Sequence, residues 1–286
     1  MLWVNENEIP GNGIDDDNNG AIDDINGCGT WDGSGILSGD LIEDVQGHGT
    51  HVSGTVASES FGVLKNARLM TVAVLSPSGS GSTSGIIMGI DYAVNNGAKV
   101  INMSLGGYGQ SLSYQSAIDA AMDLGVVTVV AAGNSNANSC NYSPAFVTNA
   151  VTVGSYEQTS SMDYFVRSSF SNYGPCNDLF APGTDIVSAS IDGMYITLSG
   201  TSMAAPHVAG VATAIYDFAL PYTYNEIDNP TGLTPYQIAA SISLLLETTS
   251  DVDVVEDPNG SDNLALNFAN AMELLAPCDA DLNRNG

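Results

Sequence analysis

Basic residues are nearly missing from this 286-residue chain: Lys and Arg number 5 against 32 Asp and Glu, a formal net charge of −27. Such a surface repels nucleic-acid phosphates and anionic membranes and favours cations, so neither nucleic acid nor membrane is an expected partner. No run reaches the roughly 18 apolar residues that a membrane span needs. Met1-Leu2-Trp3-Val4-Asn5-Glu6 lacks the basic start and apolar stretch of an export signal. Cysteine is scarce too. Cys28, Cys140, Cys176 and Cys278 show no CxxC spacing, which argues against a zinc or thioredoxin-type site and for one or two disulfides in an oxidising compartment. Internal repeats of solenoid length and low-complexity linkers are also absent.

What is present is ample core material, 44% hydrophobic residues, in an alternating pattern. Ala67–Leu75, Lys99–Leu105 and Val126–Ala132 read as strands, the last buried on both faces. Between them Ser84–Asn96 carries Ile86, Ile87, Ile90, Ala93 and Val94 on one helical face with Gly97 to end it, and Ser113–Leu124 is a second helix closed by Gly125. This order predicts an α/β fold with a mostly parallel sheet wrapped by right-handed crossovers. Ligands in such sheets bind at the carboxyl ends of strands, where Ser104-Leu105-Gly106-Gly107 and Ala132-Gly133-Asn134 fall. Ser202–Ala219 is apolar nearly all round, as a central helix would be, with Pro206 in its first turn. Thr234–Glu247 is a further helix, and a shorter one ends near Ala276.

All 3 histidines fall in two motifs, Gly47-His48-Gly49-Thr50-His51 and Gly200-Thr201-Ser202-Met203-Ala204-Ala205-Pro206-His207. A serine hydroxyl is a poor nucleophile until a neighbouring imidazole takes its proton, and glycines let a substrate backbone approach both. A lone Ser beside Gly is ordinarily a helix cap and a lone His a surface residue; the joint pattern favours catalysis. A metal hydrolase built on His48 and His51 is set aside, because helical zinc pairs prefer i, i+4 spacing with an intervening Glu.

The stretches His48–Gly54 and Gly200–Gly210 resemble the histidine and serine signatures of the subtilases, the subtilisin-like serine proteases of peptidase family S8. Ile101–Gly107, Ala131–Pro144, Ser169–Gly174 and Ala181-Pro182-Gly183 extend the likeness, in particular to the proteinase K and aqualysin branch. The resemblance implies a three-layer subtilisin-like fold and a secreted, monomeric serine endopeptidase acting on proteins or peptides. It implies His48 as general base, Ser202 as nucleophile and Asn134 as oxyanion donor, with Ser104, Leu105, Gly106, Gly107, Ala132 and Gly133 along the substrate main chain. It also implies a Cys140–Cys176 disulfide.

The pattern departs from the family in one place. Relatives carry an apolar strand ending in Asp-Thr-Gly or Asp-Ser-Gly before the histidine motif, and none is found here. Asp40 and Asp44 precede His48 in a polar loop, and neither is assigned to the triad. The expectation is a catalytic domain over residues 1–276 that is truncated at its N-terminus, missing a mid-sheet strand and hence nearly inactive by itself. Asp281–Gly286 resembles the start of an EF-hand-like or dockerin-like loop, so 277–286 is read as the beginning of a truncated module. Asp15–Asp24, within an insertion over 11–26, has oxygen ligands at alternate positions and a glycine sixth, which predicts a structural Ca2+ held by Asp15, Asp17 and Asn19 with Asp23 or Asp24 closing the shell. Asn26 stands where a bidentate Glu would. The rival reading is a non-catalytic calcium-binding pseudoprotease or adhesive module.

Overall fold

A computed structural model describes residues 1–31, 37–158, 165–223, 233–251, 255–256, 264–267 and 269–271. The helix expected near Ala276, segment 277–286, Cys278 and the side chain of Asp40 lie outside the described residues. The N-terminal quarter forms a small sheet, β1 (Ala21–Ile22), β2 (Gly27–Gly29), β3 (Leu37–Ser38) and β4 (Thr71–Ala73), in the order β1-β3-β2-β4. Helix α1 (His48–Ala57) lies between β3 and β4, and α2 (Thr83–Asn95) follows β4. The chain continues through β5 (Val100–Met103), β6 (Gly107–Tyr108), α3 (Leu112–Asp123), β7 (Val127–Ala131), β8 (Tyr142–Ser143), β9 (Ala150–Gln158), β10 (Phe165–Arg167), β11 (Leu179–Pro182), β12 (Ile186–Ala189) and β13 (Tyr195–Leu198). Helices α4 (Thr201–Thr223) and α5 (Pro235–Thr248) and strand β14 (Val255–Glu256) complete it.

The main sheet runs β14-β10-β9-β7-β5 with β11 added to β9, and every pairing is parallel except β9 with β10. Strand periodicity splits β7 between two cores. Val127, Val129 and Ala131 face α4 and α5, packing with Ala205, Val208, Ala212, Ile215 and Leu246. Val130 faces the other way, with Val126 just before the strand, towards Ile86 and Ile90 of α2 and Ile118 and Ala121 of α3. The result is the expected three-layer α/β arrangement, with α4 buried through its centre. Helix α5 begins on a capping box, in which Thr234 Oγ1 accepts from Gln237 N and Gln237 Oε1 accepts from Thr234 N, with Pro235 at the first position.

Two expected strands are shorter than their apolar runs. β4 keeps three residues and β5 four, and the reason is pairing: among the described residues β4 is joined only to β2 and β5 only to β7. Although α2 links them as a crossover, no described backbone hydrogen bond joins β4 to β5. Residues 66–77 and 96–107 line part of a cavity of about 2150 Å3 that also reaches His48, Asn134 and Ser202. A strand with one partner loses half of its ladder, so its ends fray.

Candidate active site

Ser202 is the second residue of α4, where the first N–H groups of a helix have no partner within it. It is tied to the loop leaving β5 by a reciprocal pair: Ser202 Oγ donates to Ser104 O at 3.2 Å, and Ser104 Oγ donates to Ser202 O at 2.8 Å. The hydroxyl is thereby placed beside Ser104–Gly107, whose Gly106 and Gly107 are exposed.

Asn134 ends the turn that leaves β7. Its Oδ1 accepts from Thr201 N at 2.8 Å and from Thr201 Oγ1 at 2.9 Å, while Thr201 Oγ1 accepts from Gly133 N at 3.1 Å. With the carbonyl end of the amide fixed, the NH2 end is directed away from Thr201. A Cβ added to Gly200 would lie 3.4 Å from Asn134 Nδ2 and 3.7 Å from Ser202 N, so these two donors border one space, which is open because residue 200 has no side chain. Asn134 itself is exposed, so its amide can meet a ligand in the cavity.

Sequence reasoning missed the residue that holds this turn. Asn172, buried, donates from Nδ2 to Ala132 O at 2.8 Å and accepts at Oδ1 from Ser135 N and Ala137 N, both at 3.0 Å. Asn172 N also donates to Gly133 O at 2.8 Å, while Gly133 adopts φ +104°. The signal for it lies in the Ser169–Gly174 stretch, whose likeness to the subtilases assigns this asparagine no role. Cys140 and Cys176 form a disulfide with Cα atoms 5.2 Å apart, bracing the loop after this turn. Cys28, buried in β2, has no disulfide partner among the described residues.

His48 opens α1, which packs against α4 and β12. Gly47 precedes it at φ 94°, and Asp44 caps the helix: its carboxylate accepts from Gln46 N, Gly47 N, Thr50 N and Thr50 Oγ1. Burial pushes the Asp44 carboxyl up, but the bonds from Gly47, Thr50 and Gln46 outweigh it and the group ends below its ordinary range. Burial lowers the affinity of the His48 imidazole for a proton, only partly offset by the Asp44 charge. No described carboxylate hydrogen-bonds to the His48 ring. His51, 0% exposed, turns its Nε2 to Ile186 O at 3.0 Å, and His207 Nδ1 meets Met203 O at 2.8 Å, so both sit in packing positions. His48, Ser202, Asn134, Ser104–Gly107, Ala132 and Gly133 all line the same cavity.

The acidic loop is a separate cluster. Carboxylate oxygens of Glu8, Asp15 and Asp17 lie within 4.8 Å of one another. Asn19 N is held by Asp15 and Asp17, and Asn19 Oδ1 accepts from Ala21 N at 2.9 Å. Asp23 is turned to Asn12 N and Gly13 N, and Asp24, 0% exposed, accepts from Tyr92 Oη, Asn5 Nδ2 and Asn19 Nδ2. Burial first, and then the bond to Asp24, push the Tyr92 phenol upward. Among the described residues no helix is long and apolar enough to cross a membrane.

Residues 13–267 match the model of the subtilase family of peptidases. The chain is 48% identical over 237 residues to the alkaline serine exoprotease A of Vibrio alginolyticus, covering 77% of this chain and 41% of that protein. It is 51% identical over 185 residues to the extracellular serine proteinase of Thermus sp. strain Rt41A, covering 63% of this chain and 43% of that protein. The chain thus spans less than half the length of these two relatives. The crystal structure of a cold-adapted subtilisin-like serine proteinase superposes with a TM-score of 0.65 at 49% identity, covering 77% of this chain and 74% of that one. A protease of Pseudoalteromonas arctica gives a TM-score of 0.66 at 33% identity, covering 80% of this chain and 71% of that one. Fold, motif order and these likenesses agree, and the chain belongs to the subtilase family.

Proposed function

We propose that this protein is a secreted serine endopeptidase. His48 takes the proton from Ser202 Oγ, which attacks the scissile carbonyl carbon; the carbonyl oxygen becomes an oxyanion that accepts from Asn134 Nδ2 and Ser202 N. Collapse breaks the C–N bond, His48 returns the proton to the leaving amine, and water repeats the sequence on the acyl-enzyme. Ser104–Gly107 pairs with the substrate backbone as an added strand, and Ala132 and Gly133 border the same track, a mode that places few demands on side chains. The observation that carries the reading is the fixed Asn134 carbonyl end, with Nδ2 and Ser202 N bordering one space beside a glycine.

Among the described residues no carboxylate hydrogen-bonds to the His48 ring, which Asp44 reaches only through its charge, and an imidazole without that bond costs about 10⁴ in kcat in serine proteases. We therefore read this chain by itself as a slow protease. The same observation favours the second reading, a non-catalytic calcium-binding relative. The buried, unpartnered Oε2 of Glu8 beside two further carboxylates fits a bound cation, and all-oxygen donors suit Ca2+ as a structural ion in the 11–26 insertion. Extracellular residence is supported by the disulfide and by the Thermus relative, itself described as extracellular. Hydrolysis of a casein-derived peptide that disappears in Ser202→Ala supports catalysis; equal hydrolysis by both proteins assigns the activity to a contaminant and leaves the second reading.

A further inference from the structure

Glu8 lies outside the Asp15–Asp24 motif, yet it is the most deeply buried of the three grouped carboxylates Glu8, Asp15 and Asp17, at 6% exposure. Its Oε1 accepts from Asp16 N at 2.8 Å and Asp17 N at 3.3 Å. Its Oε2 is buried with no hydrogen-bond partner. A buried carboxylate with one oxygen lacking a donor, grouped with two more carboxylates, is costly unless a cation is present. The three ligand oxygens lie within 4.8 Å of one another, and oxygens bound to one Ca2+ at roughly 2.4 Å cannot be further apart than twice that distance.

Hydrogen bonds do not set the motif carboxylates apart, since Asp15 and Asp17 also accept from Asn19 N; distance does, because the oxygens within 4.8 Å of one another belong to Glu8, Asp15 and Asp17. Asp23 holds Asn12 N at 3.0 Å and Gly13 N at 2.9 Å, and both oxygens of Asp24 are taken by Tyr92, Asn5 and Asn19. We infer that the calcium site is formed by Glu8 together with Asp15 and Asp17, while Asp23 and Asp24 frame it without touching the ion. This rests on the calcium reading above and changes its ligands. The ion would then join the segment entering the loop to the loop itself. Asn5 Nδ2 bridges Asp17 Oδ2 at 3.0 Å and Asp24 Oδ1 at 3.1 Å, and Asp24 reaches α2 through Tyr92. The same segment borders the cavity, because Trp3 N donates to Leu69 O at 2.8 Å. Calcium would thereby steady the β4 side of that cavity from a distance.

The test uses EGTA-stripped protein titrated with calcium chloride alone, by calorimetry and by thermal melting. Glu8→Gln keeps the side-chain shape and the Oε1 acceptor but removes one charge. It should weaken calcium binding about tenfold or more, and in EGTA it should melt no lower than the wild type because carboxylate repulsion is relieved. Asp23→Asn should bind calcium within about threefold of wild type. Wild-type affinity in Glu8→Gln, or a lower melting temperature for it in EGTA, overturns the assignment. Loss of binding in Asp23→Asn with retention in Glu8→Gln returns the site to the loop motif alone. Absence of calcium binding in the wild type removes both calcium readings, while the protease reading stands on Ser202 independently.

Discussion

Replacing Thr201 by valine removes one hydroxyl and changes the side-chain shape little. That hydroxyl both donates to Asn134 Oδ1 at 2.9 Å and accepts from Gly133 N at 3.1 Å, in a residue that is fully buried. Losing the first bond frees the Asn134 amide to swing about its remaining bond to Thr201 N. Losing the second leaves a main-chain N–H without its partner, a cost of about 1–3 kcal/mol in stability. Complete removal of an oxyanion donor costs about 10²–10³ in kcat, which sets the ceiling. A loosened donor that keeps one of its two anchors should forfeit about 1.4 kcal/mol of transition-state stabilisation, or roughly tenfold in kcat. The assay is steady-state hydrolysis of a peptide p-nitrophenyl ester, reactive enough to report a slow enzyme. KM should stay within about twofold, since the interaction strengthens only as the oxyanion forms. A kcat for Thr201→Val within twofold of wild type, alongside a large loss in Asn134→Ala, would show that Thr201 does not orient the amide.

Other outcomes follow from single contacts. Asn134→Ala should lower kcat by about 10²–10³ with little change in KM, measured on the same ester. Cys140→Ser opens a loop of 36 residues and should cost about 2–4 kcal/mol, read from the urea midpoint. Gly54→Ala would put a Cβ 2.4 Å from Ser188 Oγ and 3.0 Å from Ala189 Cβ, so overpacking between α1 and β12 should destabilise by about 1–3 kcal/mol in the same experiment. Burial holds the proton affinity of His48 and His207 below the ordinary histidine value. The acid limb of kcat/KM should therefore have its midpoint below about 6.5. For stability the unfolded chain binds protons first, so the contribution of both groups is complete above a pH of about 6.5 and declines as pH falls below it. An acid limb at or above 6.5 would contradict the burial argument.

The helices were legible because their signals are local. Ser84–Asn96 and Thr234–Glu247 were read within about two residues of α2 and α5 from apolar spacing, Gly97 and the Thr234 cap. The all-buried run of β7 declared itself by composition, since a strand covered on both faces needs no polar alternation. Strand length at β4 and β5 was not legible, because fraying there depends on neighbours rather than on the strands' own residues. The His48, Asn134 and Ser202 motifs were visible, but Asn172 and Thr201 were not assigned, since each acts through bonds to residues 35 to 68 positions away. Glu8 escaped for the same reason. The spacing rule for calcium loops looks forward from Asp15, whereas Glu8 reaches the cluster from seven residues upstream through the turn at Gly11 and Gly13, both at positive φ.

The most direct measurement of the account is the site and rate of phosphonylation by a fluorophosphonate, mapped by peptide mass spectrometry in the wild type and in His48→Ala. One adduct is expected, on Ser202, formed slowly and slower still by at least tenfold without the imidazole. Adducts distributed over several serines, or a Ser202 rate indifferent to His48, would contradict it.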